Sequence, residues 1–338
     1  MVGSIAMMEI RAVQARLDAI KNNILPGSES VTDIKKITAG ASKNTYKFSV
    51  KVASQKKTYI LRVAEDKSIE HESTINIKME ANILAVAKLA NVKVPEVSYI
   101  LEDHDGLGEG YIMGYVAGET IPRKILRDKK FEKTRLLLAA QYGQQLATIH
   151  TIDSGKIEDL PASNLLQTLA RFRSDIDSYA PSSPVFEYAY LWLVTNQPQT
   201  TERQCFVHGD FRNGNVMVGE QGIEAVLDWE LCHKGDPMED LAWLMLNPWR
   251  FGNVDSPVGG VGREEDLFNA YEAAGGVLDI DRVRYWQIAC TLRWGLTCSF
   301  ARYIFNTGAE KKLEHALIAR RISETEIDLL RLLRVDKS

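Results

Sequence analysis

The spacing of apolar positions changes period several times along this chain. Residues 7–22 place Met8, Val13, Leu17 and Ile20 near helical spacing, which predicts a helix with one apolar face. Pro26-Gly27 stops it. Short β-branched runs follow at 34–38, 45–52 and 58–63, and together they predict an antiparallel meander. Residues 74–90 return to helical spacing. Two more strands are expected at 97–101 and 110–115, joined by the turn-forming stretch 103–108. The order is β-β-β-α-β-β and ends near residue 116.

Beyond that point the pattern is mostly helical. Helices are expected at 131–151, ending in His150, and at 163–179 and 184–196. Short strands flank 205–230. Further helices are expected near 237–246, 264–274, 281–306, 309–319 and 323–334, with a Gly- and Pro-rich loop at 253–262. The reading is an α+β chain in three parts. Residues 1–32 form an N-terminal helical extension, 33–116 a small sheet-rich unit, and 117–338 a larger helical unit. The strip 114–120 (Gly-Tyr-Val-Ala-Gly-Glu-Thr) is the expected hinge.

Composition narrows the partners. The 338 residues are 45% apolar and 25% charged, with a net charge of −4, an ordinary balance for a globular protein. That charge favours neither nucleic acid nor an anionic membrane surface, both of which reward a basic excess. Cys205, Cys232, Cys290 and Cys298 form no CxxC pair, and no Cys/His pair has zinc-ligand spacing. They read as small core residues in a reducing compartment. The N-terminus lacks the charged and apolar regions of a signal peptide, and no apolar run approaches the length of a membrane span. A cytoplasmic location is expected.

The chemistry concentrates in Phe206-Val207-His208-Gly209-Asp210-Phe211-Arg212-Asn213-Gly214-Asn215-Val216-Met217-Val218, followed by Asp228-Trp229-Glu230. Phosphoryl transfer spreads negative charge over the moving group, so a protein mainly positions and neutralises it. That requires a carboxylate at the attacking hydroxyl and oxygen ligands for Mg²⁺. Asp210 follows a strand (205–207) and sits in a Gly-containing loop, which suits the first role. Asn215, five residues on, and Asp228, at the end of a strand (223–227), suit the second. The two strands are expected to form a hairpin that brings Asn215 and Asp228 to one end. A lone Asp-Gly pair marks turns everywhere; the compound spacing of Asp, Asn at +5 and Asp at +18 is far more specific.

This segment resembles the catalytic and metal-binding loops of the aminoglycoside phosphotransferase and choline kinase superfamily. Lys234-Gly235-Asp236-Pro237 and Asp240-Leu241-Ala242 resemble the GDP…DLA signature that follows the metal-binding Asp there. The resemblance spans roughly 33–300 and implies a protein-kinase-like two-lobed fold. It implies transfer of a phosphoryl group from ATP, with Mg²⁺, to the hydroxyl of a small molecule. On the N-terminal side it implies that 37–44 covers the phosphates, with Gly40 and Ser42 among the contacts, although the loop holds a single Gly. It places Arg62 as the phosphate cation, a role that a two-pronged guanidinium can fill where protein kinases use Lys. Its partner is Glu80, with Glu72 as the rival. Backbone groups near Met113 and Tyr115 would meet the adenine. His208 and Asp240 would brace the loop, and Arg212 would touch the moving phosphoryl or the substrate.

The acceptor is less legible. Trp249, Arg250, Tyr285, Trp286, Arg293 and Trp294 are the candidates to hold it. Trp286, Arg293 and Trp294 share one helical face, a stripe that reads first as core packing and second as a substrate box. Residues 250–338 hold 13 Lys/Arg and 13 Asp/Glu, without the acidic surplus that a polycationic aminoglycoside would favour. The form Asp228-Trp229-Glu230-Leu231 is similar to kinase domains fused to acyl-CoA dehydrogenases. That makes a hydroxyacyl-CoA or another neutral or anionic alcohol the competing acceptor. A protein kinase is disfavoured by the short run from Asp228 to Gly235-Asp236-Pro237, and a dead scaffold by the presence of Asp210, Asn215 and Asp228 together.

Overall fold

Period-two alternation in the first strands sorts their side chains onto two faces, and each face is covered by a different helix. The computed structural model describes residues 2–37, 43–64, 75–198 and 203–335. Its first elements are α1 (Val2–Ile24), β1 (Ser30–Ile37), β2 (Lys43–Val52), β3 (Gln55–Ala64), α2 (Ile77–Leu89), β4 (Val97–Ile100) and β5 (Gly110–Gly114). The five strands form one antiparallel sheet in the order β1-β2-β3-β5-β4. Tyr46, Phe48, Val50, Tyr59, Leu61 and Ile112 turn to one face and bury Leu17, Ile20 and Ile24 of α1. Ile60, Tyr111 and Met113 turn to the other, where Ile77, Ala81 and Leu84 of α2 meet them. The N-terminal helix is therefore packed on the sheet, and β1 begins at Ser30, inside the stretch assigned to the extension. Asn76 starts α2 by accepting the Met79 N–H at 2.8 Å.

The rest is a helical lobe with two small ribbons. It contains α3 (Pro122–Arg127), α4 (Glu132–His150), α5 (Leu165–Tyr179), α6 (Pro184–Thr195), β6 (Cys205–Val207), β7 (Val216–Gly219), β8 (Gly222–Val226), β9 (His233–Gly235), α7 (Met238–Leu244), α8 (Glu264–Ala273), α9 (Ile280–Thr307), α10 (Leu313–Ala319) and α11 (Ile322–Val335). The long α9 packs against α5, α6, α7, α10 and α11. The four cysteines are buried and unbridged.

The ribbons correct one expectation. The 205–207 strand pairs with β9 (Val207 opposite His233), while β8 pairs with β7. A two-residue turn closes β7 on β8, whereas residues 208–215 carry the chain away from β6. Asn215 and Asp228 still meet, because the Leu227 N–H donates to the Asn215 carbonyl at 2.8 Å. The hinge strip and the N-terminal lobe are each clipped to this hairpin. Glu119 and Val218 exchange backbone hydrogen bonds of 2.9 and 3.0 Å, and Lys93 bonds Val226 and Ile223 at 2.7 Å each.

Candidate active site

The loop 208–215 leaves β6 and is held from below by one carboxylate. Asp240, in α7, accepts the N–H groups of His208 (2.8 Å) and Gly209 (2.9 Å), and His150 at the end of α4 reaches it with Nε2 at 3.2 Å. His150 Nδ1 lies 2.8 Å from the Tyr271 hydroxyl. Burial alone would raise the Asp240 carboxyl, but the hydrogen bonds it accepts from His150 and from the His208 N–H hold it below the usual carboxylate range. Gly209 is required here. Its φ is +81°, and a Cβ would stand 2.4 Å from the Leu231 carbonyl oxygen.

His208 is buried, and burial lowers its pKa. Nδ1 accepts the Asp210 N–H at 3.2 Å and Nε2 donates to the Leu227 carbonyl at 3.0 Å, a neutral tautomer tying the loop to the end of β8. Arg293 braces the other side. It donates to the Gly209 carbonyl (2.9 Å), pairs with Glu239 (2.6 Å) and lies 3.8 Å over the Trp243 ring.

These contacts present Asp210. Its Oδ1 accepts from Trp243 Nε1 at 2.7 Å and Arg212 Nε at 2.9 Å, and its Oδ2 accepts from Asn215 Nδ2 at 2.6 Å. Asn215 thus engages its amide nitrogen and leaves its amide oxygen for a cation. Asp228 follows β8 with φ +64°, a left-handed conformation that Asp tolerates better than most residues. Its carboxylate lies 3.5 Å from Arg62 Nη2 across the lobes.

Arg62 on β3 also pairs with Glu80 of α2 at 2.9 Å, and Tyr111 donates to the same Glu80 oxygen at 3.2 Å. Burial opposes the Arg62 charge, but the carboxylates of Glu80, Asp228 and Glu230 outweigh it and hold the guanidinium above its usual pKa. Sequence reasoning missed Lys43, whose Nζ lies 2.6 Å from Glu80 and 3.1 Å from Glu230. The available signal was a cation beside Ser42 in the loop expected over the phosphates. Gly40, Ser42 and the rival Glu72 lie outside the described residues. Met113 is buried in the sheet. The N–H groups of Gly114 and Tyr115 are engaged by the Glu96 and Thr58 carbonyls (2.8 and 3.0 Å), which leaves Val116 and Ala117 as the next backbone toward the hinge.

Asp210 opens on a cavity of about 490 Å³. Trp243, Trp249, Trp286 and Trp294 line it, with Arg171, Arg212, Arg293 and His233 as its basic groups and Asp210 and Glu239 as its acids. Glu239 is buried between Arg293 and His233, which hold it below the usual range against the effect of burial. Two candidates stand elsewhere. Tyr285 turns away from the cavity and donates to the Leu193 carbonyl at 3.0 Å. Arg250 clips its own loop by donating to Met245 and Val254 carbonyls. Trp286 lines the cavity together with Arg293 and Trp294, whereas the adjacent Tyr285 lies about 100° round the helix.

This frame of loop, hairpin and lobe-crossing cation coincides with a sequence match. The family model of the phosphotransferase enzyme family covers residues 33–277. The chain belongs to that family. A mouse protein, acyl-CoA dehydrogenase family member 11, is 27% identical over 68% of this chain, which spans only 30% of that protein's length. Among solved structures, a candidate aminoglycoside phosphotransferase from Ralstonia eutropha shares the fold with a TM-score of 0.73 at 20% identity, covering 92% of this chain and 95% of its own. An aminoglycoside phosphotransferase in ternary complex with AMP-PNP and hygromycin B shares it with a TM-score of 0.61 at 17% identity, covering 93% and 97%. As a member of the phosphotransferase family, the chain carries an antiparallel N-terminal lobe and a helical C-terminal lobe, joined by the Arg62–Asp228 contact. No helix among the described residues is long and apolar enough to cross a membrane.

Proposed function

We propose that this phosphotransferase moves the γ-phosphoryl group of ATP, with Mg²⁺, to a hydroxyl of a neutral or anionic small molecule. The observation that carries the reading is Asp210 at the floor of an aromatic, Arg-rich cavity, bonded to Asn215 and flanked by Asp228. The residues present fit Mg·ATP. Arg62 Nε is buried and lacks a partner among the described residues, and the Asn215 amide oxygen and the Asp228 carboxylate are left for a metal. No group of three or more His, Cys, Asp or Glu could hold a metal among the described residues. A pair of protein oxygens suits Mg²⁺, which keeps waters and takes phosphate oxygens. When bound, Mg·ATP supplies the phosphoryl group and neutralises its charge.

The chain's own groups then act as follows. Arg62, held by Glu80, grips phosphate oxygens. Asp210 orients the acceptor hydroxyl and takes its proton as the new O–P bond forms and the bond to the β-phosphate oxygen breaks. Arg212, beside Asp210 and 4.5 Å over the Trp249 ring, neutralises charge on the moving group. Trp249 and Trp286 pack the acceptor's apolar part. A polycation would meet mostly basic side chains here, with Glu239 already paired. A hydroxyacyl-CoA, apolar in its chain and anionic at its far end, suits the same lining. The relatives named as acyl-CoA dehydrogenase family members support that choice. The test is ADP release with a panel of aminoglycosides, macrolides, choline-like amines and hydroxyacyl-CoAs. Saturable turnover of an aminoglycoside at low micromolar concentration would overturn the acceptor class. Failure to bind or hydrolyse ATP, in the wild type, would overturn the kinase reading.

A further inference from the structure

We infer that Trp243 is a positioning residue that decides which oxygen of Asp210 receives the hydroxyl proton. The inference rests on Asp210 being the base. A carboxylate offers about four acceptor sites, two on each oxygen. Among the described residues, side chains fill three at Asp210. Oδ1 takes both Trp243 Nε1 (2.7 Å) and Arg212 Nε (2.9 Å), whereas Oδ2 takes only Asn215 Nδ2 (2.6 Å). The open site is therefore on Oδ2, the oxygen beside the metal-side residue Asn215.

The two donors on Oδ1 are not equivalent. Arg212 is a loop residue with a side chain 25% exposed, held among the described residues only by the neighbouring Asn213 carbonyl (3.3 Å) and by the Trp249 ring besides Asp210. Trp243 is rigid. It is buried in α7 directly after Leu241-Ala242, and the Arg293 guanidinium lies 3.8 Å over its ring. Arg293 is itself anchored on Glu239 and on the Gly209 carbonyl. A cation over an indole draws electron density from the ring and makes its N–H a better donor. The same arginine thus fixes the backbone just before Asp210 and, through Trp243, the rotation of its carboxylate. Trp243 also lines the cavity, so the group that sets the base forms part of the acceptor wall.

Trp243→Phe separates these functions. Phe keeps a ring for Arg293 and for the wall, and removes only the N–H. Two measurements decide. With ¹⁵N-indole-labelled protein, whose six tryptophans give six Nε1–H signals, the signal lost in Trp243→Phe identifies Trp243. In otherwise wild-type protein that signal moves upfield with Asp210→Asn. In steady-state ADP release from Mg·ATP with water as acceptor, Trp243→Phe lowers kcat about ten- to a hundredfold, the scale of one hydrogen bond to a charged group. KM for ATP stays within about twofold, as expected when a transition-state contact alone is removed. An unchanged kcat, or a raised KM with kcat intact, overturns the proposal and leaves Trp243 a wall residue. An indole signal indifferent to Asp210→Asn overturns it whatever the kinetics. A wild type that releases no ADP counts against the phosphotransferase reading instead, and the indole shift, which needs no turnover, still decides the hydrogen bond.

Discussion

Replacing Asp240 by Asn should damage the catalytic loop without touching the nucleotide. The carboxylate accepts two consecutive backbone N–H groups, at 2.8 and 2.9 Å, and faces His150 at 3.2 Å. All of these are buried. An amide of the same shape keeps one acceptor oxygen and turns an NH₂ toward the remaining donors. At least one hydrogen bond to a charged group is lost, and one donor is left unsatisfied, so the expected cost is about 2–4 kcal/mol at neutral pH. The pH dependence follows from the same contacts. The folded-state pKa of Asp240 lies below its unfolded value, so its ionisation stabilises the fold above about pH 4 and that contribution is lost as pH falls through the folded value. Asn has no proton to gain. The deficit of Asp240→Asn should therefore be full at pH 7 and shrink on acidification below about pH 4. Urea unfolding at both pH values reads the stability, and initial rates read the loop. We expect kcat to fall about tenfold or more while KM for ATP is unchanged, because in the proposed function the loop holds the base and Arg62 the phosphates. A midpoint within error of wild type at pH 7, or a deficit that grows in acid, would refute the reasoning.

Asp228→Asn should weaken Mg-dependent nucleotide binding, whereas Asp210→Asn should lower kcat and leave that binding in place; titration of a fluorescent ATP analogue with and without Mg²⁺ checks both, and equal affinity in wild type and Asp228→Asn contradicts the metal role. Leu17→Ala removes a fully buried side chain between α1 and the sheet. It should cost about 2–5 kcal/mol in denaturant unfolding, and a change below about 1 kcal/mol would mean that α1 does not share the core of the sheet.

Much of the fold is local and so was readable. The alternation in 45–52 and 58–63 tells one face of a strand from the other, and Asn215 and Asp228 are brought together by a hairpin only a dozen residues long. Contacts between distant positions left no such trace. Whether 205–207 pairs with 223–227 or with 233–235 depends on where the intervening loop goes. The bond from Trp243 to Asp210 and the pair between Lys43 and Glu230 join side chains whose spacing carries no period. On α9 the periodicity itself fails, because neighbours cover the helix on many sides and its buried residues run almost continuously from Arg282 to Leu292. A helix buried all round has no polar stripe to mark the cavity side, so the spacing groups Trp286 with Arg293 and Trp294 without telling whether that face meets a cavity or the core.

The clips at Glu119 and Lys93 have a further consequence for how this protein diversifies. They bind the hairpin bearing Asn215 and Asp228 to the hinge strip and, through Lys93, to the lobe that carries Arg62, so the groups proposed to handle the donor share one mechanical piece. The acceptor walls come from other parts, α5, α7, α9 and the turn at Asn247–Arg250. Substitutions on those helices can re-line the cavity for a new alcohol while the phosphate-handling geometry is inherited intact. A library confined to Gln167, Arg171, Trp286, Ala289 and Thr297 would be the natural place to change what this scaffold phosphorylates.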